Sequence, residues 1–273
     1  ALAIPQPGYT DAAYYAAGGI HIAEGGGLAE PFIWNYLSNP SGIPHPGFLY
    51  WMPLPSLLAA AVAWLLPGSY VALQIPFALL SSGLPILAYV LAHRATGDRI
   101  LAWTAGLLAI FGGFFFPYWS LPETFAPFAL FGSLALWLAG NAGTGPSGRQ
   151  TLRCLLAGLM VGLAHLTRAD GILLLPLVAL GPILAGRMHG RGSSDSMAVD
   201  KASQSAPSLL SRTAARLALV FVGYTVVMGP WMVRNVVAVG TPLPSAAAKT
   251  MWLTDYDDLF CYDCDLSPAT YLS

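Results

Sequence analysis

Long apolar runs occupy most of this chain and constrain its fold more than any other feature. Inside a bilayer every backbone polar group must find its partner within its own segment, so apolar runs of about 17 to 25 residues are typical of transmembrane helices. Only 9% of the residues are charged, whereas a soluble domain has roughly a quarter. The sequence therefore predicts an all-α, polytopic transmembrane helix bundle. Its six predicted spans are Tyr70–Ala92, Ile100–Phe116, Thr124–Ala139, Leu152–Leu166, Ile172–Gly186 and Ala214–Val233.

A seventh apolar run, Leu57–Leu66, decides the predicted topology. It is shorter than a span and lies between prolines, which favours a helix that stays on one face of the bilayer. With that choice the basic residues follow the positive-inside rule, because nine fall in cytoplasmic segments and only Arg168, Arg234 and Lys249 lie outside. The nine are Arg94, Arg99, Arg149, Arg153, Arg187, Arg191, Lys201, Arg212 and Arg216.

Three regions follow from this topology. Residues 1–69 form a first extracytoplasmic loop with juxtamembrane helices, and residues 70–233 form a six-helix transmembrane region that contains a cytoplasmic linker at 187–213. Residues 234–273 form a further extracytoplasmic loop, which we expect to be truncated. Since no initiator methionine or first span precedes Ala1, we expect the chain to be part of a longer protein.

Two carboxylates lie on the predicted extracytoplasmic face. Asp11 follows Thr10, which is expected to cap a helix, and Tyr14 and Tyr15 come next. The helix dipole alone would also explain an acid in a first helical turn. Glu123 stands at the outer start of a span, where the dipole again offers a simple explanation. An acid at membrane depth, however, usually faces a cavity or a partner.

Three basic side chains are further candidates on the same face. Arg168 lies in a turn with Asp170, so it either forms a salt bridge with that residue or binds an anion such as phosphate. His45 stands between two prolines, which hold its backbone extended either as part of an interfacial loop or with the ring aimed into a cavity. Arg234 follows the last span, so it lies on this face as well.

Several classes of site are absent from the sequence. The net charge of -1 provides no basic field for nucleic acid. We find no P-loop, Rossmann glycine fingerprint, HExxH or GxSxG motif, which argues against nucleotide-powered chemistry. Cys261 and Cys264 form a lone CxxC motif, for which a local disulfide in an oxidising compartment is a better explanation than a metal site.

A set of short motifs occurs in order along the chain. They are PGYTD at Pro7–Asp11, His45–Pro46 ahead of YWMPL at Tyr50–Leu54, LPET at Leu121–Thr124, GLMVGLAHLTRADG at Gly158–Gly171 and PWMVRN at Pro230–Asn235. Together they resemble the GT-C superfamily of polytopic glycosyltransferases, in particular the family 39-like and lipid A aminoarabinose transferase-like enzymes. The Gly158–Gly171 stretch is the most specific of them. The protein mannosyltransferases have a pair of adjacent acids here, whereas Ala12 follows Asp11 in this chain. This difference weakens the case for a protein acceptor.

The resemblance implies transfer of a sugar from a polyprenyl-phosphate donor to a lipid, glycan or protein acceptor on the extracytoplasmic face of a bacterial plasma membrane. Asp11 would act as the base or orienter of the acceptor, Glu123 as a supporting carboxylate, and Arg168 as the contact of the donor phosphate. Both carboxylates are expected as ligands if a divalent Mg or Mn ion takes part. The substrate-binding residues implied in this way are Tyr14, Tyr15, His45, Arg168 and Arg234.

Two other classes of protein stay open at this point. A transporter or flippase of lipid-linked or small substrates would also use membrane acids, but it predicts broken helices near the midplane and inverted repeats. A non-catalytic membrane scaffold leaves the long first loop with its acid unexplained.

Overall fold

The computed structural model describes residues 4–143, 146–192, 209–244 and 246–272, and these are mostly helical. Two short antiparallel strands, β1 (Ala29–Glu30) and β2 (His45–Pro46), are the strands in this part of the chain. The helices are α1 (Thr10–Ala23), α2 (Leu54–Leu65), α3 (Tyr70–Leu73), α4 (Ile75–Thr96), α5 (Arg99–Ile110), α6 (Phe125–Gly140), α7 (Ser147–Thr167), α8 (Leu174–Gly192), α9 (Leu209–Val239), α10 (Ala246–Lys249) and α11 (Pro268–Leu272). Short 3₁₀ helices occupy Gly113–Tyr118, Ala169–Leu173 and Tyr256–Phe260.

Three helical segments are long and apolar enough to cross a bilayer: Tyr70–Thr96, Ser147–Thr167 and Ser211–Val239. The prediction of membrane-spanning helices is confirmed to this extent, while the six-span bundle stays a prediction. The other apolar helices of the described residues are shorter, and they are Leu54–Leu65, Arg99–Ile110, Phe125–Gly140 and Ala169–Ile183. Each has 10 to 17 residues, and a helix rises about 1.5 Å per residue against a hydrocarbon core about 30 Å thick.

The predicted span Ile100–Phe116 is longer than the helix that forms there. Helix α5 ends at Ile110, and a 3₁₀ helix follows from Gly113. Gly112 and Gly113 explain the break, since glycine is the least favourable residue of a helix interior after proline. At the predicted linker, α8 continues to Gly192 and α9 begins at Leu209, whereas residues 193–208 of that linker lie outside the described residues.

The chain divides into two compact units, one made of Ala1–Leu130, Thr167–Ala169 and Trp231–Ser273, the other of Phe131–Leu166 and Asp170–Pro230. In the first unit α1 and α2 pack closely through small residues. A Cβ added at Gly19 would lie 2.6 Å from the Cβ of Ala59. The Ser56 hydroxyl donates a 3.0 Å hydrogen bond to the Tyr15 carbonyl, so α2 fixes the helix that carries Asp11.

In the second unit α7 and α9 cross at their glycines. A Cβ at Gly158 would overlap the Val220 carbonyl oxygen, and one at Gly162 would lie 2.7 Å from the Val227 Cβ. From the other side, a Cβ at Gly223 would meet the Leu155 carbonyl. Small residues that let two backbones approach are typical of helix pairs in membranes, where packing has to replace the hydrophobic effect. The glycines of the GLMVGLAHLTRADG motif therefore have a packing role.

Candidate functional site

Asp11 lies in the first turn of α1 and is half-buried. The prediction that Thr10 caps this helix is wrong, because the cap position is Tyr9 in extended backbone and no side chain bonds the free amides there. Thr10 is instead the first helical residue, and its hydroxyl lies 3.5 Å from Asp11 Oδ1. Burial raises the pKa of Asp11, while the hydrogen bond from Thr10 and the charge of Arg168 lower it.

Glu123 is a buried carboxylate just before α6, and only 4% of its surface is exposed. It accepts the backbone N–H of Thr124 in a short hydrogen bond. Its pKa is raised from 4.5 to about 7, and burial is the largest cause. The Thr124 N–H lowers the pKa, the negative charge of Asp11 raises it and the charge of Arg168 lowers it within that net shift. The charge of Asp11 therefore reaches Glu123 and affects its ionisation.

Arg168 follows α7 and is in contact with the segment that carries Glu123. Its Nη1 donates a 3.3 Å hydrogen bond to the Thr124 hydroxyl, and its guanidinium carbon lies 5.5 Å from the centroid of the Phe128 ring. The aromatic face and the hydroxyl hold the guanidinium beside the two carboxylates. Asp11, Glu123 and Arg168, which lie far apart in the sequence, thus form one cluster, here called the Asp11 cluster.

Two tyrosines complete the Asp11 cluster. Tyr15 is 1% exposed, and its hydroxyl has no hydrogen-bond partner within the described ranges. Burial raises its pKa first, followed by the charges of Glu123 and Asp11. Tyr9 is not among the residues predicted from the sequence. Its pKa is also raised by burial first and then by the charges of Glu123 and Asp11. A buried hydroxyl without a partner is uncommon and calls for an explanation.

The remaining predicted residues, Tyr14, His45 and Arg234, gather around a different carboxylate, Glu30. The Tyr14 hydroxyl donates to Glu30 Oε1 at 2.5 Å, and His45 Nε2 lies 3.7 Å from Oε2. Arg234 donates to the Leu28 carbonyl, and its charge interacts with Glu30 and Tyr14. Glu30 also accepts the Phe48 N–H at 2.6 Å, so it ties α1, the two strands and the end of α9 together.

Glu30 is not among the site residues predicted from the sequence, although one signal points to it. Tyr14 and Tyr15 are adjacent in a helix, so their side chains point about 100° apart and cannot both face Asp11 and its partners. Tyr14 therefore needed a second partner, and Glu30 is 5% exposed and buried with it. A carboxylate buried to this degree needs several hydrogen bonds, which the Tyr14 hydroxyl and the Phe48 amide provide.

An apolar groove of about 510 Å³ lies in the same unit. Its walls come from α4, the end of α5 and the segment that leads to Glu123, and they include Pro85, Ile110, Trp119 and Ser120. Ser120 is three positions before Glu123 in the sequence. The segment that leads to the buried carboxylate therefore also forms part of the groove wall.

The fit of a metal ion can be judged from the donor groups. In the described residues no group of three or more His, Cys, Asp or Glu side chains could hold a metal ion. Asp11 and Glu123 supply two carboxylates, which is the number that Mg²⁺ takes when substrate phosphates and water complete its shell. These residues fit an ion that arrives with a phosphate, and they do not form a complete metal site by themselves.

Cys261 and Cys264 are joined by a disulfide, as the CxxC motif predicts, with their Cα atoms 5.7 Å apart. Cys154 is a buried free thiol of α7. A disulfide forms and persists in an oxidising compartment, which agrees with the extracytoplasmic position expected for the last loop.

The raised pKa of Glu123 predicts a pH dependence of stability. Its folded pKa of about 7 lies above the ordinary 4.5, so the folded protein holds this proton more tightly, and the stability it contributes falls as pH rises from about 4.5 to 7. In Glu123→Gln the free energy of unfolding should therefore fall by about 3 kcal/mol less over this pH range than in the wild type. Thermal unfolding in detergent between pH 4.5 and 8 measures this difference. Glu24→Gln, at an exposed carboxylate, is the control, and parallel curves for wild type and Glu123→Gln would contradict the prediction.

No family model, no curated protein and no solved structure matches the chain. The resemblance of its motifs to the GT-C glycosyltransferases therefore stays a prediction, and any assignment of function has to rest on the geometry of the residues described above.

Proposed function

We propose that the protein is a multi-pass membrane glycosyltransferase that moves a sugar from a polyprenyl-phosphate donor to an acceptor on the extracytoplasmic face. One observation carries the proposal: Asp11, Glu123 and Arg168 converge next to the buried hydroxyl of Tyr15, which has no hydrogen-bond partner among the described residues, and their charges act on the pKa of Tyr15. Perturbed carboxylates that share a pocket with an arginine are typical of functional sites.

The donor side of the proposed site combines a cation with an apolar groove. Thr124 and Phe128 hold Arg168 in a fixed place, and its planar guanidinium has the geometry that suits phosphate oxygens. The groove of about 510 Å³ at Trp119 and Ser120 is apolar, as an isoprenoid chain requires. A polyprenyl-phosphate sugar is already activated, so the reaction needs no nucleotide site.

The transfer is a substitution at the anomeric carbon of the sugar. An acceptor hydroxyl attacks that carbon, the bond between the carbon and the phosphate oxygen breaks, and the polyprenyl phosphate leaves with the bonding electron pair. Asp11 accepts the proton of the hydroxyl, and burial, which raises its pKa, makes it a better base at neutral pH. Arg168 stabilises the charge that develops on the leaving phosphate.

Glu123 supports this chemistry through its charge. With a pKa of about 7 it is half-protonated at neutral pH, which limits the repulsion between two neighbouring carboxylates. A Mg or Mn ion that arrives with the donor phosphate would find two carboxylate ligands in Asp11 and Glu123, and it would supply further positive charge at the leaving group. No step above depends on it.

The proposed topology places the site in a bacterial plasma membrane with its polar residues outside. Helix α2 has 12 residues, which is about 18 Å of helix and too short to cross the hydrocarbon core. It packs on α1, so both helices belong to the first extracytoplasmic loop. The side that carries Asp11 then also carries Arg168 and the Cys261–Cys264 disulfide.

The test is transfer by the full-length protein in lipid nanodiscs. A panel of radiolabelled polyprenyl-phosphate hexoses and pentoses is incubated with membrane extracts as acceptor, and the labelled product is separated from the donor. We expect one donor to be consumed with release of polyprenyl phosphate. Movement of intact donor across the bilayer without bond cleavage would favour a transporter or flippase. The absence of both donor binding and donor cleavage would favour a scaffold. Either result contradicts the proposal.

A further inference from the structure

A second cavity of about 410 Å³ lies between the loop that follows β1 and the C-terminal segment of the chain. Tyr36 and Asn39 come from the loop, and Lys249, Trp252 and Asp263 come from the C-terminal segment. Its volume lies in the range of small-molecule sites, about 300 to 1,000 Å³. The chemistry proposed above uses none of these residues.

The walls of this cavity are held by contacts between the two segments. The Tyr36 N–H donates to the Leu259 carbonyl at 2.9 Å, and the Lys249 ammonium donates to the Leu37 carbonyl at 2.6 Å. Within the C-terminal segment the Trp252 indole N–H donates to the Leu266 carbonyl at 3.1 Å. Because both segments are tied in this way, a ligand would enter a largely preformed site and pay little for ordering the chain.

The cavity lies on an apolar cluster, and hydrogen bonds hold one carboxylate at its rim in place. Leu37, Ala246, Leu259 and Leu266 form a buried hydrophobic cluster under the two segments. On the rim, Asp265 Oδ1 accepts the Ser267 N–H and its Oδ2 accepts the Thr270 hydroxyl, both at 3.0 Å. A carboxylate has about four acceptor positions, so this one keeps capacity for a ligand hydroxyl after those two bonds.

The lining combines aromatic rings with planar polar groups. The face of an aromatic ring is negative and attracts the partially positive C–H bonds on the face of a pyranose. An amide and carboxylates accept and donate the hydrogen bonds that ring hydroxyls need. Asp263 and Asp265 outnumber Lys249, so the balance of charge disfavours a phosphate or a uronic acid. We propose that this cavity binds an uncharged saccharide.

The cavity is linked to the Asp11 cluster through Tyr50. This residue packs against the hydrophobic cluster below the cavity. The ring centroid of Tyr50 lies 4.6 Å from that of Trp51, and the Trp51 centroid lies 6.4 Å from that of Tyr15 in the Asp11 cluster, so ring contacts connect the two regions. We therefore assign the cavity to the glycan end of the acceptor. This assignment to the acceptor rests on the proposed function, whereas saccharide binding itself does not.

Binding is tested on the full-length protein in nanodiscs by isothermal titration and saturation-transfer NMR. The probes are maltose, cellobiose, mannobiose and N,N′-diacetylchitobiose. We expect at least one to bind, Trp252→Ala to abolish its binding, and Asp263→Asn to weaken it about tenfold, the effect of one lost hydrogen bond to a charged group. Trp252→Phe keeps an aromatic face and should keep binding. Trp64→Ala, at a tryptophan of α2 that is 74% exposed, is the matched control.

The outcomes separate this proposal from the proposed function. If a probe binds, Trp252→Ala loses it and Asp263→Asn weakens it while Trp64→Ala keeps it, the cavity is a saccharide site even when no transfer is found. If transfer occurs, the cavity variants should lose transfer to the glycan and keep slow hydrolysis of the donor. The proposal is overturned if no probe binds, or if binding survives unchanged in both Trp252→Ala and Asp263→Asn.

Discussion

Replacing Asp11 with asparagine is expected to lower sugar transfer about 100-fold or more, which is the contribution of a positioned general base. Asparagine has nearly the same size and can keep the contact with Thr10, but it cannot take a proton from an acceptor hydroxyl. Asp11 is half-buried at the start of α1, where no other residue depends on it for a strong hydrogen bond in the described contacts. The fold should therefore survive, and the loss should appear in kcat.

The measurement is initial rates of transfer across donor concentrations, with donor binding determined separately. Donor affinity should change little, because Arg168 and the apolar groove hold the phosphate and the isoprenoid in our proposal. Glu24→Gln removes an exposed carboxylate just after the other end of α1 and should leave both quantities unchanged. Wild-type turnover in Asp11→Asn would remove Asp11 from the chemistry.

The Asp11 cluster could be predicted from the sequence because each of its charged members interrupts an apolar context. A charge beside a predicted span has few explanations, so Asp11, Glu123 and Arg168 stand out even without a structure. The structure places all three residues in one compact unit.

The partners of Glu30 and the cavity proposed to bind a saccharide could not be predicted in this way, because both depend on contacts between distant loop segments. Glu30 meets Phe48 and Arg234 through pairings that no local pattern encodes. The residues of the cavity are ordinary loop residues until the Tyr36 and Leu259 backbones pair. Hydropathy also overestimates the length of a helix when it ignores local chain breakers, as Gly112 and Gly113 show after α5.

Adding a single methyl group at Gly158 is expected to disrupt the packing of α7 on α9. The Cβ of Gly158→Ala would overlap the Val220 carbonyl oxygen and lie 3.0 Å from the Tyr224 nitrogen, and backbone atoms cannot move aside as a side chain does. Overpacking costs typically 1 to 3 kcal/mol, and a clash with backbone belongs at the upper end, so we expect a loss of about 3 kcal/mol. Thermal unfolding in detergent should show a markedly lower midpoint.

Helix α7 offers its own control in Gly148, where an added Cβ would meet nothing within 4 Å. Gly148→Ala should leave stability unchanged or raise it slightly, since alanine is the better helix former by about 1 kcal/mol. Gly223→Ala should lose about as much stability as Gly158→Ala, because its Cβ would meet the Leu155 carbonyl at the same helix crossing. Once one methyl group has forced the helices apart, the second should cost little further stability. The double variant should therefore lose much less stability than the sum of the two single losses. Equal midpoints for Gly158→Ala and Gly148→Ala would show that α7 and α9 do not pack through these glycines.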